Sequence, residues 1–545
     1  MKKFILLCTF CWGMLVPGAR ACTSFLAGRN ATIDGSTFIT YAADSHTLYG
    51  ALKFIPAARH PKNSTMEIRE WDTNKLLGHI PQVEYTYKVV GNMNEHQLSI
   101  TESTWGGRPE LVDTTGIIDY GSLMYIALQR AKTAREAITV MTDLVSEYGY
   151  YSSGESFSIA DPEEVWIMEM IGKGPKNQGA VWVAVRIPDD CIAAHANQSR
   201  IHKFPLDDKE NCLYSPDVIS FAREQGYFNG LNKDFSFADA YAPADFGALR
   251  GCEARVWSFY NRFNSSMGKY LSYLNGKSKE YLPLYIKPDK KLSVQDMKDA
   301  MRDHFEGTPF DMTQDVGAGP FKCPYRFRPM TFKVDSVEYT NERAVATQQT
   351  AFTLVAQMRS WLPNAIGGVL WFGVDDTNTC VYVPLYACLN EVPECYSELN
   401  GSMYDLSWTS AFWIHNWVAN MAYSRYDQMI EDIRPVQKDI ETTFNVQQPV
   451  IEKVANDLYR SDPVAAIRFL NAYSVAQAQQ TTVQWKKLGE FLLVKYLDGN
   501  RKKEKGGHFL ENGYGLPADP DFPGYSEEYY RAVAKDAGDR LKVAF

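Results

Sequence analysis

Cys22 directly follows Ala19-Arg20-Ala21, a small-x-small triplet of the kind after which a signal peptidase cuts. Cleavage there leaves one residue carrying both a thiol and an α-amine. The amine's unperturbed pKa is about 7.7–8.0 and the thiol's about 8.5, so the amine can accept the thiol proton near neutral pH without a histidine. The thiolate can then attack an amide carbonyl and form a thioester that water resolves. Such a site still needs donors for the oxyanion and an acceptor that holds the ammonium. Two rivals compete for the same cysteine. Lipoprotein processing would lipidate Cys22, but it prefers an aliphatic residue three positions earlier, where this chain has Ala19. Cleavage elsewhere would leave Cys22 internal.

Other catalytic patterns are missing. The sequence holds no His-Glu-x-x-His and no P-loop, and Gly154-Glu-Ser-Phe-Ser158 lacks the last glycine of a nucleophile elbow. The nine histidines have no metal-ligand spacing, and His195 and His304 are read as structural. Eight of the ten cysteines follow residue 21. An oxidising compartment permits disulfides, but with Cys22 free the remaining seven are odd in number, so at least one more stays unpaired. Their spacings fit no zinc ribbon or finger. No metal or organic cofactor is implied.

The segment before Cys22 reads as an export signal. Lys2 and Lys3 precede an apolar run, Phe4 to Val16, broken only by Cys8, Thr9, Cys11 and Gly13. A bilayer-spanning helix needs about 20 apolar residues, more than this run offers, and no later stretch is long enough either. The expected product is a soluble exported protein, periplasmic or extracellular and bacterial in style. Removing residues 1–21 takes the formal net charge from −9 to −12, since they carry Lys2, Lys3 and Arg20 and no acid. That acidity argues against nucleic acid or an anionic membrane as partner.

The elements that must position Cys22 follow from patterning. At 45% apolar and 13% aromatic, 545 residues can bury one large core or two domains. Short β-like runs recur to about residue 385: Cys22–Gly28, Ser36–Tyr41, Gln97–Thr101, Val165–Ile171, Val181–Ile187, Gly368–Phe372 and Thr379–Pro384. Thr133-Ala-Arg-Glu136 is a capping box opening a helix that Gly149 can end, and Ser293-Val-Gln-Asp296 opens another to about Phe305. Strand blocks with helices outside predict a layered α+β domain over 22–403. From 404 to 500, Trp408, Phe412, Trp417, Met421, Met429 and Ile433 recur at helical spacing and predict a helical extension, its aromatic stripe read as packing. The tail, 501–545, reads as solvated loop around Arg501–Gly507 and Asp519–Gly524.

At Cys22-Thr-Ser-Phe-Leu-Ala-Gly-Arg-Asn-Ala-Thr-Ile-Asp-Gly-Ser-Thr37 the chain resembles the opening of mature cysteine dipeptidases of the N-terminal-nucleophile (Ntn) class, relatives of choloylglycine hydrolases and penicillin V acylases. The resemblance continues in order through Gly91-Asn-Met-Asn-Glu-His96, Arg130-Ala-Lys-Thr-Ala-Arg-Glu-Ala137, Arg186-Ile-Pro-Asp-Asp190, Arg302-Asp-His-Phe-Glu-Gly-Thr-Pro309, Trp361-Leu-Pro363 and Gly367-Gly-Val-Leu-Trp371. It implies a four-layer αββα sandwich with Cys22 opening a central strand. It also implies Asp44 as the acid near the nucleophile and its amine, Asn197 as an oxyanion donor, and Arg343 as a site arginine. Glu102, following the Gly91–His96 segment, is expected to face the pocket and bind a substrate ammonium. Relatives usually carry arginine three residues before the acid, where this chain has Tyr41. Losing that cation changes how a Cys22 thiolate is stabilised.

The expected activity is hydrolysis of short peptides at the first peptide bond. An amidase acting on N-acyl substrates would use the same machinery in an apolar pocket without an ammonium-binding acid. A non-catalytic exported binding protein of the same fold is the reading that Tyr41 keeps open. Peptide preference and self-association are not legible at this level.

Overall fold

Both faces of the Val165–Gly172 strand are buried, so its sequence is nearly continuous in apolar residues: Trp166, Met168 and Met170 enter one cluster, while Val165, Ile167 and Ile171 enter another. This is the pattern of a sheet covered on both sides. The computed structural model describes residues 22–543, and the expected export signal over 1–21 lies outside them. Among the described residues no helix is long and apolar enough to cross a membrane.

Two large sheets carry the fold. The first has seven strands in the order Tyr285–Ile286, Ile192–His195, Ser24–Ala27, Thr37–Asp44, Thr350–Met358, Val369–Val374, Val383–Tyr386. The second has eight, in the order Cys212–Tyr214, Ala180–Arg186, Val165–Gly172, Glu155–Ala160, Ser99–Thr104, Met93–Asn94, Val89–Val90, Phe54–Ile55. Every pairing in both is antiparallel, and with the surrounding helices they make an α+β chain. The Thr37–Asp44 strand of the first sheet lies against the Ser99–Thr104 and Glu155–Ala160 strands of the second. Polar side chains stitch this junction: Thr101 Oγ1 donates to Thr40 O at 3.2 Å, and Ser24 Oγ lies 3.3 Å from Thr101 Oγ1.

His195 belongs to the same junction. It is fully buried, with Ser103 Oγ 2.6 Å from Nδ1 and Ser158 Oγ 2.7 Å from Nε2. Burial, reinforced by the charges of Arg200 and Arg255, pushes its pKa down from 6.5 to about 3. The folded state therefore keeps it neutral where the unfolded chain takes up a proton. Between pH 6.5 and about 3 the unfolded state binds more protons, so stability falls as pH falls, by up to about 1.4 kcal/mol per pH unit from this residue. Urea melts of a His195→Gln variant between pH 6.5 and 4 are expected to show a shallower acid slope than wild type. Parallel slopes would remove His195 from the acid response.

Helices Tyr120–Arg130 and Ala134–Tyr148 share the cluster on the outer face of the second sheet. The latter starts and ends where the sequence places it: Thr133 Oγ1 accepts from Glu136 N, and Gly149 takes the C-cap at φ +74°. The Glu136 carboxylate reaches Lys132 N rather than the Thr133 amide, so the box is not reciprocal. Helix Val294–Met301 has the full capping box at Ser293 and Asp296, yet stops short of Phe305, which takes φ +66°. Helix Ala254–Phe263 lies on the first sheet, where Phe259 stacks on Phe25 at 4.1 Å.

Three helices, Ala411–Ser424, Tyr426–Ser461 and Pro463–Lys495, follow the sheets. Trp408 precedes them and is 47% exposed, while Phe412 and Ile433 are buried. Buried ion pairs bind the long middle helix to the rest. Arg359 meets Glu452 through two bonds of 2.6 and 2.7 Å, and Arg302 meets Glu441 at 2.5 Å. In the tail, Glu504–Lys505 pairs with His508–Phe509, and Glu527–Ala537 is an exposed helix in a stretch expected to be loop. All eight cysteines of the described residues are free thiols.

Candidate active site

Strand alternation sets the site. Cys22 precedes the Thr23–Ala42 bridge at the start of the Ser24–Ala27 strand and is 4% exposed. Its thiol donates to Glu102 Oε1 at 3.3 Å and lies 3.8 Å from the Tyr41 hydroxyl. The Tyr41 hydroxyl donates to the same Glu102 oxygen. Glu102 belongs to the Ser99–Thr104 strand, which Met93–Asn94 pairs at Ser99 alone. Burial, then the carboxylates of Glu102 and Asp44, push the Cys22 thiol well above its ordinary range, against the opposing effect of the Asp44 backbone N–H. In this environment the sulfur is a protonated thiol.

Glu102 has an acid neighbour. Glu102 stands opposite Phe157 and Glu155 opposite Thr104, so the two glutamates are diagonal on one face of adjacent strands. Burial and the Glu102 charge raise the Glu155 carboxyl well above the usual carboxylate range. Glu102 Oε2 and Glu155 Oε1 are buried and receive no donor from any described residue, while Thr104 Oγ1 donates to Glu155 Oε2 at 2.9 Å. The Glu155 carboxyl thus keeps its proton, because a second negative charge buried beside Glu102 is disfavoured.

Asp44 does not turn its carboxylate to the sulfur. Thr350 Oγ1 donates to it at 2.6 Å and the Arg343 guanidinium donates to its other oxygen. Arg343 also donates to Ala344 O and Val345 O, at 2.6 and 3.2 Å. Burial raises the Asp44 pKa, and Arg343 opposes that rise. The structure thus joins Arg343 to Asp44, with the Asp44 backbone N–H as the group that addresses Cys22.

Asn197 sits in the loop after the Ile192–His195 strand, at φ +59°, a left-handed conformation that asparagine tolerates. Its Nδ2 donates to Thr104 O at 2.6 Å and its N–H to Ser103 Oγ at 3.2 Å. Glu169 pins the same loop, accepting from Ser199 Oγ, Arg200 N and Ile201 N at 2.5, 2.6 and 3.2 Å.

One residue at the centre was not anticipated from sequence. Arg255, 1% exposed on the Ala254–Phe263 helix, donates to Cys22 O at 2.7 Å, Thr23 Oγ1 at 2.7 Å, Ala196 O at 3.1 Å and Asn197 Oδ1 at 2.8 Å. It therefore fixes the backbone of Cys22 and the orientation of Asn197 together. Burial, followed by repulsion from Arg343, lowers its pKa to about 10, so it stays charged at neutral pH. The buried Arg200–Glu253 pair at 2.9 Å joins the Asn197 loop to the start of that helix. The sequence signal was a cation within Ala254-Arg-Val-Trp-Ser-Phe-Tyr260, where the apolar helix face leaves it no exit to water.

The assembled site is a buried thiol beside an acid pair, a backbone N–H, a clamped asparagine amide and two arginines. That set suits nucleophilic attack on a carbonyl with charge control nearby. A model of Peptidase family C69 matches residues 21–439. A probable dipeptidase of Latilactobacillus sakei is 27% identical over 74% of this chain and 82% of its own length. A probable dipeptidase of Salmonella dublin is 26% identical over 71% and 85%, respectively. A probable dipeptidase B of Streptococcus pyogenes serotype M1 is 23% identical over 88% of this chain and 94% of its own.

Proposed function

The chain belongs to peptidase family C69, and from that premise we propose that it is an exported cysteine dipeptidase of the Ntn class with Cys22 as its nucleophile. The observation that carries this is the convergence on Cys22, two residues before a central strand, of Glu102, Tyr41, the Asp44 N–H and Arg255. The two facing sheets with helices outside each are read as the four-layer αββα sandwich of that class, followed by the helical extension.

Cleavage after Ala21 would free the Cys22 α-amine. A protonated amine beside the sulfur would counter the two carboxylates that hold the thiol pKa up. The neutral amine takes the thiol proton, and the thiolate attacks the carbonyl of the substrate's first residue. Asn197 donates to the oxyanion, while Arg255 positions both Asn197 and the Cys22 carbonyl. The ammonium returns its proton to the leaving amine, giving a thioester and a free amino acid. Water, deprotonated by the same amine, then releases the acyl residue. Arg343 acts through Asp44 as a positioning residue. Glu102 Oε1, 3.3 Å from the sulfur, is placed to hold the substrate's α-ammonium, which favours free dipeptides over N-acyl substrates. Tyr41 replaces a cation by a hydroxyl that fixes Glu102. Periplasm or medium of a bacterium is the proposed location, as residues 1–21 suggest.

Intact mass and N-terminal sequencing of the exported protein test this. The expected product starts at unmodified Cys22, and one carbamidomethyl group on that residue abolishes Leu-Gly hydrolysis. A lipidated or internal Cys22, or full turnover after its alkylation, overturns the proposal.

A further inference from the structure

Phe352, whose ring touches that of Tyr41, lines a cavity of about 270 Å³ whose apolar wall is completed by Leu48, Tyr49, Ala51, Trp71 and Tyr125. We infer that this cavity takes the side chain of the substrate residue whose carbonyl is attacked, and that it selects large apolar and aromatic side chains. The inference rests on the dipeptidase reading and adds its specificity.

Contacts tie the cavity to the nucleophile. The Phe352 ring meets the Tyr41 ring edge-on at 5.6 Å, Tyr41 donates to Glu102, and Glu102 accepts from the Cys22 thiol. Tyr125, on the opposite wall, is buried between two acids: burial, then the charges of Glu398 and Glu102, push its hydroxyl pKa above the ordinary value. Tyr125 thus feels both the Glu102 charge on the side of the thiol and that of Glu398, which lines the cavity. A substrate whose ammonium sits on Glu102 carries its side chain on the neighbouring carbon, so that side chain begins where the Tyr41–Phe352 wall begins.

The walls are fixed before any ligand arrives. Trp71 stacks on Tyr125 at 5.0 Å and Phe352 on Phe372 at 5.8 Å. Tyr49 packs edge-on against Phe412 at 5.0 Å, and its hydroxyl donates to Asn400 O at 2.6 Å. Gly50, next to this tyrosine, lies so close to its neighbours that a Cβ would stand 2.0 Å from Ala351 O and 2.6 Å from the Phe412 ring. Rigid apolar walls and a volume near the lower end of ligand pockets, about 300 Å³, suit one amino-acid side chain rather than a longer peptide. At the mouth, Lys53 and Glu398 pair at 3.4 Å with both side chains partly in water. Opposite charges cancel there, so neither acidic nor basic side chains gain a partner.

The test is kcat/KM of the processed enzyme on Gly-Gly, Leu-Gly, Phe-Gly, Asp-Gly and Lys-Gly. Leu-Gly and Phe-Gly are expected to exceed Gly-Gly by about 30-fold or more, within the range that apolar pocket filling yields, with Asp-Gly and Lys-Gly near Gly-Gly. Ala51→Trp, and independently Leu48→Trp, each intrude on the cavity and should lower the Phe-Gly to Gly-Gly ratio at least tenfold. A flat series, a preference for charged side chains, or ratios unmoved in both variants overturns the inference while leaving the dipeptidase reading intact. Turnover of none of the five by wild type overturns that reading and this inference with it.

Discussion

Replacing Cys22 with alanine is expected to lower kcat/KM for Leu-Gly by about three orders of magnitude or more, with little change in Tm. The magnitude follows from losing the nucleophile in a covalent mechanism, where the remaining oxyanion donors and binding groups act without a reaction to serve. Stability should hold because alanine fits the buried position and removes a thiol pressed against two acids. Glu102 Oε1 keeps its bond from Tyr41. Cys22→Ser is the sharper variant, since it keeps the shape and raises the pKa of the attacking group far above that of a thiol. Initial rates with Leu-Gly and thermal melts of the two variants decide the matter. More than a tenth of wild-type activity in Cys22→Ala would place the nucleophile elsewhere.

Glu102→Gln should move two readouts in opposite directions. Turnover of free dipeptides is expected to fall about 100-fold, the size of one lost charge-assisted hydrogen bond of about 2.7 kcal/mol. Acetyl-Leu-Gly, which has no ammonium to lose, should change little. The Cys22 thiol should react faster with iodoacetamide below pH 8, because the Glu102 charge raises the thiol pKa and glutamine carries none. Removing that charge also lowers the Glu155 carboxyl toward its ordinary range. Equal losses on free and acetylated peptides would show that Glu102 holds the site together without recognising the amine. An unchanged alkylation profile would sever its link to the sulfur.

Cys22 was singled out because the signal is local: a cysteine directly after a small-x-small triplet needs no partner from afar to be recognised. Glu102 was legible as an acid at the end of a strand, expected over Gln97–Thr101 and found over Ser99–Thr104. Its alliance with Glu155 was not, since that depends on register between strands 53 residues apart. Arg255 reaches Cys22 across 233 residues, a separation no spacing rule covers. Arg343 was singled out as a site arginine; it holds Asp44, and the Cys22 carbonyl is held by Arg255. Thr379–Pro384 looked like one strand, but only Val383–Tyr386 pairs, because Thr379 and Cys380 turn their N–H groups back to Asp376 O at 3.1 and 2.9 Å.

The ion pairs to the long C-terminal helix have a consequence in the order of synthesis. Arg302 leaves the ribosome 139 residues before Glu441, and Arg359 leaves 93 residues before Glu452. At roughly 5–20 residues per second, each guanidinium waits on the order of 5–30 s for its carboxylate. Until then, closing the first sheet over Arg359 would bury a charge without its counter-ion, at a cost of several kcal/mol, whereas Arg302 already has Asp299 at 3.1 Å. The core around Arg359 therefore closes without an unpaired charge only once Glu452 has been made, late in synthesis.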